Sequence, residues 1–326
     1  MGRFRCLLRR VQQKLQLQRR SLCDGPHGQH RKALAAIGVG CLAGALGSLV
    51  GMGGAFVTIP FLTHPLFGLP QRVAQGTSMV SVLATASGGA TGYMSLFKSK
   101  TSSSSSPSST SSSNVNGAKP YFIGNISVPT AILVSSASMV TAIAGAKFST
   151  KLSNRQLKIT LGVFMLCMAP SPIFREYLAK IEDGVKHKKS IPTATVNWAS
   201  ELWQSLLIGA FSGFQAGLYG VGGGAVVVPA LCLFTDLSYK ESLGTSLAIM
   251  LPTAIAGSIQ HYRQGTMVKK IAIPLGIGCY LGSFIGSSFV TQLFNTSEEK
   301  NLKYCFTAVM LVLGLRTLRD GLRYIK

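Results

Sequence analysis

Residues 44–60 read GALGSLVGMGGAFVTIP, and residues 213–229 read GFQAGLYGVGGGAVVVP, so each half of the chain carries the same glycine-rich signature. The matched positions are Gly51, Gly53, Gly54 and Pro60 in the first copy, and Gly220, Gly222, Gly223 and Pro229 in the second. A Gly-Thr-Ser triplet follows each copy, at Gly76, Thr77, Ser78 and at Gly244, Thr245, Ser246. A duplicated apolar unit with helix breakers at corresponding positions is typical of membrane transporters, and the breaks indicate where the substrate binds.

The composition favours a membrane protein over a soluble one. Of the 326 residues, 47% are hydrophobic and only 13% are charged. The ten acidic residues all lie at the ends of long apolar runs or between them, whereas a soluble protein would spread carboxylates over every helix. The net charge of +22 does not indicate nucleic-acid binding, because the Lys and Arg residues lie between hydrophobic spans and not on one soluble face.

Eight apolar spans predict an all-α, polytopic membrane protein of about eight transmembrane helices, built from two four-helix repeats with broken first helices. Each span is long enough to cross about 30 Å of hydrocarbon. The spans cover residues 33–62, 73–97, 122–146, 157–174, 202–234, 241–262, 267–293 and 302–320. Since the first and fifth spans exceed one straight crossing and contain the glycine clusters, we expect them to be broken or re-entrant inside the bundle.

The spans define the domain organisation. We expect a basic tail or transit peptide at 1–32, a first repeat at 33–174 with a disordered Ser-rich insertion at 98–120, a connecting loop at 175–201, and a second repeat at 202–326. Residues 1–32 are Arg-rich and acid-poor, which fits either an organellar transit peptide or a basic tail that sets topology. The chain is therefore expected in a mitochondrial or plastid inner membrane, or otherwise in the plasma membrane or an endomembrane.

The glycine clusters predict an anion site. Glycine frees φ, so backbone N–H groups can turn inward together, and a helix that restarts after such a break presents a partial positive charge. The hydroxyls of the Gly-Thr-Ser triplets add donors. Gln215 and His261 are further polar candidates within spans. The predicted substrate-binding residues are Gly51, Gly53, Gly54, Gly76, Thr77, Ser78, Gln215, Gly220, Gly222, Gly223, Gly224, Gly244, Thr245, Ser246 and His261, with Pro60 and Pro229 as helix breaks.

Two other interpretations compete for these residues. Glycine, serine and threonine also allow membrane helices to pack closely, without any ligand. Residues 220–225 formally match a dinucleotide-binding fingerprint, but they lie in an apolar span and lack the required strand and helix context. No catalytic motif or metal-ligand spacing occurs, and the seven cysteines show no CxxC pair. We therefore expect no enzyme activity, no cofactor and no metal.

The paired signature, with a proline after each glycine cluster and a Gly-Thr-Ser triplet beyond it, resembles the TauE/SafE sulfite exporter family over about residues 33–322. That resemblance implies a secondary transporter of sulfur-containing anions such as sulfite or organosulfonates, working by alternating access. The expected partners are a small anionic substrate and the lipid bilayer; a homo-oligomer is left open. The alternatives are a carrier of another small anion, such as a carboxylate, and a non-transporting membrane scaffold.

Overall fold

The part of the protein that the structure describes is built from α-helices, with one short β-hairpin. The computed structural model describes residues 26–102, 122–123, 126–170, 198–234, 239–293 and 296–323. The described helices are α1 (Pro26–Val50), α2 (Ala55–Thr63), α3 (Gln71–Ser102), α4 (Val128–Ser149), α5 (Asn154–Met168), α6 (Trp198–Tyr219), α7 (Gly224–Phe234), α8 (Tyr239–Arg263), α9 (Lys269–Leu293) and α10 (Thr296–Arg323). The strands β1 (Phe122–Ile123) and β2 (Ile126–Ser127) pair antiparallel just before α4.

The helices have the length and the outer surface of a multi-pass membrane protein. Four segments within the described residues are long and apolar enough to cross a membrane: His30–Val50, Thr130–Ser149, Glu241–Arg263 and Lys269–Ser288. Large apolar side chains such as Leu34, Val140 and Val312 are exposed on the outside of the bundle. Such a surface is costly in water but suits hydrocarbon, which confirms the all-α membrane architecture. The count of eight crossings stays a prediction.

Helices from the two halves of the chain pack against each other in matching pairs. Helix α1 lies along α9, and α6, which carries the second signature, lies along α4. At both contacts glycine brings two backbones together: a Cβ at Gly44 would lie 2.8 Å from the Cα of Cys279, and one at Gly213 would lie 2.5 Å from the Cα of Ser138. Small residues at such contacts increase van der Waals packing, which holds helices together in lipid.

The centre of the bundle is formed by α3 and α8, the two helices that carry the Gly-Thr-Ser triplets. They contact each other, α3 also contacts α9, and α8 also contacts α4. Helix α5 packs against α10. Most buried apolar residues, including Val82, Leu247 and Met250, belong to a single cluster. The triplets are therefore held in the interior, next to the two broken helices.

Several element boundaries differ from the expected ones. Helix α1 begins at Pro26, inside the expected tail, because proline suits the first turn of a helix. Helix α3 continues to Ser102, inside the expected insertion 98–120, because serine tolerates propagation of an established helix. The third span begins as the β1–β2 hairpin and becomes helical at Val128. Residues 1–25, 103–121 and 171–197, on which the transit-peptide, insertion and loop predictions largely fall, lie outside the described residues.

Candidate functional site

Both signature helices are interrupted at the predicted glycines. Helix α1 ends at Val50 and α2 begins at Ala55; α6 ends at Tyr219 and α7 begins at Gly224. We call residues 51–54 the first bend and residues 220–223 the second bend. Six glycines in the bends have positive φ: Gly51 (70°), Gly53 (80°), Gly54 (63°), Gly220 (71°), Gly222 (86°) and Gly223 (79°). A residue with a Cβ would destabilise the backbone conformation by about 1–2 kcal/mol at each such position.

The two prolines do not make the interruptions. Pro60 lies inside α2 and Pro229 inside α7, so the prediction that they break the helices was wrong. Each proline lacks an N–H, which leaves one carbonyl a turn earlier without its helical partner but does not stop the helix. The glycines alone form the bends.

The two bends meet at the centre of the protein. Gly53 and Gly222 both pack against the side chains of Val82 and Met250, which lie on α3 and α8. A Cβ at Gly224 would lie 2.9 Å from the Cα of Met52, so the first residue of α7, directly after the second bend, touches the first bend. All residues of both bends are buried. The structure thus brings together two clusters that are far apart in sequence.

The serines of the two triplets bind the bend of the opposite half. The Ser78 hydroxyl lies 2.9 Å from the carbonyl oxygen of Gly220, and the Ser246 hydroxyl lies 2.8 Å from that of Gly51. The Ser246 hydroxyl donates its proton to the carbonyl oxygen of Gly51, whereas the single proton of the Ser78 hydroxyl is shared between the carbonyl oxygens of Gly220 and, at 2.8 Å, of Gln75 in its own helix. The expectation was that these hydroxyls would be free donors for an anion. In this structure they hold the bends in position instead.

The threonines of the triplets cap helices of the opposite half. The Thr77 hydroxyl accepts a hydrogen bond from the backbone N–H of Val268 at 3.3 Å, just before α9. The Thr245 hydroxyl accepts one from the N–H of Ser127 at 3.0 Å, just before α4. Such contacts satisfy amides that a helix terminus leaves without partners. The glycine before each threonine is buried; at Gly76 the backbone lies close to Thr266.

His261 is bound to the protein through both ring nitrogens. Its Nε2 lies 3.2 Å from the carbonyl oxygen of Gly217, and its Nδ1 lies 3.0 Å from the Thr266 hydroxyl. In the first half Tyr93 makes the corresponding contact, donating its hydroxyl to the carbonyl oxygen of Ser48 at 3.3 Å. The predicted substrate contact of His261 therefore has a structural alternative that the sequence did not reveal: the ring joins α8 to α6.

Two glutamines near the second bend have buried side-chain amides without hydrogen-bond partners among the described residues. Gln75, on α3, is fully buried, and Gln215, on α6, is 4% exposed. Sequence reasoning proposed Gln215 but missed Gln75. The signal was present, because Gln75 comes directly before the first Gly-Thr-Ser triplet, where the second copy has Leu243.

The backbone amides of the two bends differ in their partners. In the first bend, the N–H groups of Met52 and Gly53 donate to the carbonyl oxygen of Gly47. The N–H group of Ala55, the first residue of α2, donates to the carbonyl oxygen of Gly53. At the second bend, the N–H groups of Gly222, Gly223 and Gly224 have no acceptor among the described residues. These free amides sit at the N-terminus of α7, where the helix dipole favours negative charge.

The interior around the bends contains dipoles but no formal charge. The buried polar residues in the described part of the chain are serines, threonines, glutamines and one histidine, without any Lys, Arg, Asp or Glu. Amide groups at a helix N-terminus bind anions without a cationic side chain. The arrangement is therefore suited to a small anion.

Broken helices with free backbone amides at the centre of a multi-pass membrane protein are typical of membrane transporters. The family model of the sulfite exporter TauE/SafE family matches residues 94–317, more than half of the chain. This chain belongs to that family. The match begins within α3, after the first bend, so it is narrower than the expected 33–322.

Two relatives are similar to this chain over more of its length than the family model. The chain is 24% identical over 296 residues to the probable membrane transporter protein YunE of Bacillus subtilis, covering 87% of this chain and 96% of the relative. It is also 24% identical over 286 residues to a probable membrane transporter protein of Methanocaldococcus jannaschii, covering 85% and 92%. No solved structure matches. The protein is thus a membrane protein of a transporter family, with a small-molecule substrate.

Proposed function

We propose that this protein is a secondary transporter that moves a small sulfur-containing anion, such as sulfite or an organosulfonate, by alternating access. The observation that carries the proposal is the meeting of two glycine bends at the buried centre, where the second bend has backbone amides without acceptors. The family membership supports the class of substrate. A scaffold would gain nothing from irregular backbone at membrane depth.

In the proposed complex the backbone amides of the bends contact the anion. The hydroxyls of Thr77, Ser78, Thr245 and Ser246 support those amides, because each is already hydrogen-bonded to backbone in the opposite half. Removing one such support would displace the bend and weaken anion binding indirectly. The glycines are the residues for which we expect the largest losses of transport.

Alternating access would require the packing between the two bends to open on one side of the membrane and then on the other. The contacts that must change are those of Val82 and Met250 with Gly53 and Gly222. These contacts are between side chains and glycine backbone, so they can slide without breaking a hydrogen bond. The serine bonds between halves would keep the bends ordered during that movement.

Counterflow of labelled sulfite in proteoliposomes tests the proposal. The wild type should exchange sulfite, and Gly222→Leu should abolish exchange because a side chain there collides with Met250 and Val82. Thr245→Val should reduce exchange because the valine cannot accept the hydrogen bond from the N–H of Ser127. Gly38→Leu is the matched control, since no atom lies within 4 Å of a Cβ at that position.

The outcomes separate the alternatives. Exchange of acetate without exchange of sulfite would make the protein a carboxylate carrier. No exchange of any small anion by a correctly folded wild type would favour a scaffold. Sulfite exchange that survives both Gly222→Leu and Thr245→Val would reject the bends as the site.

A further inference from the structure

The two bends share a backbone conformation but differ in their polar surroundings. We infer that the anion binds on one side of the centre, at the second bend (220–223), where the side-chain amides of Gln75 and Gln215 donate to it. This inference rests on the proposed function and adds the location of the site and two residues that determine its specificity. Three independent observations support it.

The first observation is the position of Gln75 on α3. Gln75, Ser78 and Val82 lie about one turn apart, on one face of the helix. Ser78 donates to the carbonyl oxygen of Gly220, and Val82 packs on Gly222, so this face covers the second bend. The carbonyl oxygen of Gln75 is also the nearest atom to a Cβ built on Gly220. The Gln75 side chain therefore begins at the edge of the second bend.

The second observation is the matching position of Gln215 on α6. Ser212 packs against the second bend, because a Cβ built on Gly223 would lie 3.3 Å from the Ser212 Cβ. Gln215 follows Ser212 by three residues and so shares that side of the helix. Both glutamines are more than nine-tenths buried, and neither amide has a partner among the described residues.

A buried amide without a partner is costly, and inside a bilayer no bulk water relieves it. Two such side chains on the helix faces that contact one bend indicate a polar ligand between them. The amides supply N–H donors, and the free backbone N–H groups of Gly222, Gly223 and Gly224 supply more. This set of donors suits a compact oxyanion with several acceptor oxygens. The amide oxygens would accept from a protonated oxygen of the anion or from a water bound with it.

The third observation is that the first bend lacks the two buried glutamines, although the buried Thr85 hydroxyl lies near Gly54. Leu243 occupies the position that corresponds to Gln75, and Leu46 the position that corresponds to Gln215. Leu243 covers Gly51, with its Cδ2 2.8 Å from a Cβ built there. The amides of Met52 and Gly53 are already hydrogen-bonded to Gly47. An anion placed at the first bend would meet two leucine side chains in place of the two glutamine amides, with the N–H groups of Gly51 and Gly54 and the Thr85 hydroxyl as the remaining donors.

The test uses the full-length protein, reconstituted for sulfite counterflow and solubilised for thermal unfolding. Gln75→Leu and Gln215→Leu copy the residues of the other half, and Leu243→Met and Leu46→Met are the volume-conserving controls. Each glutamine variant should raise the KM for sulfite about tenfold or more, as expected for loss of hydrogen bonds to a charged ligand. The two controls should stay within about twofold of the wild type.

Thermal unfolding distinguishes a ligand contact from a structural one. Without sulfite, each glutamine variant should unfold at the same temperature as the wild type or higher, because it removes an unpaired buried amide. With saturating sulfite, the wild type should be stabilised, and the variants should lose most of that stabilisation. A lower unfolding temperature without sulfite, together with an unchanged KM, would show that the glutamines are structural and would overturn the inference.

The remaining outcomes separate this inference from the proposed function. If the wild type exchanges sulfite and the glutamine variants have a normal KM for it, the one-sided site is overturned and the proposed function stands. Equal losses in the leucine variants would indicate a symmetric site and would also overturn it. If sulfite, acetate and a sulfonate neither exchange nor stabilise the folded wild type, the proposed function and the one-sided site are both rejected.

Discussion

At the residue scale, glycines determine the backbone of the candidate site. Gly53 and Gly222 combine a positive φ with close packing against Val82 and Met250, so both the conformation and the space exclude a side chain. Positive φ alone disfavours an L-residue, and a crowded neighbour adds an overpacking cost. These positions should therefore be far less tolerant than glycines inside the straight helices.

Gly222→Ala should lower the free energy of unfolding by about 2–4 kcal/mol, which sums the left-handed strain and the overpacking against the Met250 and Val82 side chains. Denaturant unfolding in detergent measures the change. Gly276→Ala is the matched control, because its nearest neighbour, a methyl of Val80, would lie 3.5 Å away. The control should be neutral or stabilising by about 0.5–1 kcal/mol. Equal destabilisation by both variants would contradict the strained bend.

The triplet serines provide a second prediction at this scale. Ser78→Ala and Ser246→Ala should each destabilise the protein by about 1–3 kcal/mol, because each leaves a buried bend carbonyl without its hydroxyl donor. Ser135→Ala is the control, since that half-buried serine only donates to Ile132, one turn earlier in its own helix, through a solvent-exposed hydrogen bond. Unfolding monitored by tryptophan fluorescence would give the three values. If Ser135→Ala lowered the free energy of unfolding as much as Ser78→Ala, the triplet serines would have no special role in holding the bends.

At the element scale, helix contacts through small residues hold the bundle together. Helix α1 meets α9 backbone to backbone at Gly40 and Gly44, and α6 meets α4 in the same manner at Gly209 and Gly213. In lipid, association of helices depends on such close packing, since the surrounding tails are as apolar as leucine. The two interfaces should be disrupted by any large side chain at the contact.

Gly44→Leu should therefore prevent correct assembly, because a Cβ at that position would lie 2.8 Å from the Cα of Cys279, where backbone cannot yield. Gly38→Leu, on the same helix with open space around it, should be tolerated. The fraction of monodisperse protein in size-exclusion chromatography after detergent extraction reports assembly. Normal yield of Gly44→Leu would contradict the tight α1–α9 contact.

At the scale of the whole molecule, neither half of the chain forms its own complete bundle. The first helix of each half lies against a helix of the other half, and the serine and threonine bonds run between the halves as well. The two bends meet only because helices of one half pack against helices of the other half. We expect the halves to be strongly dependent on each other for folding.

Separate expression of residues 1–184 and 185–326 should yield unstable fragments, whereas co-expression should restore a complex that copurifies through a tag on one fragment. The reason is that the first fragment alone exposes the small-residue faces of α1 and α4, and the second fragment alone exposes those of α6 and α9. Gly44→Leu in the first fragment serves as the negative control for copurification. Two fragments that each behave as a stable, monodisperse protein would contradict the dependence of each half on the helices of the other.

Much of the fold follows from local properties of the sequence. The length of the apolar runs determined the helical membrane architecture, because a bilayer accepts only segments that satisfy their own backbone hydrogen bonds. The glycine clusters determined where the signature helices break, since only glycine adopts a positive φ at low cost. The prolines were assigned wrongly because their effect on one hydrogen bond is smaller than the gain of continuing a packed helix.

The partners of the polar side chains were decided by the tertiary structure alone. Ser78 and Gly220 are 142 residues apart, and Ser246 and Gly51 are 195 apart, so no local pattern shows that these hydroxyls are already bonded. The same holds for His261, which binds α6, and for Gln75, whose burial beside the second bend depends on how α3 packs. A sequence specifies which groups can donate or accept hydrogen bonds, whereas the packing of distant helices decides which of them remain free for a ligand.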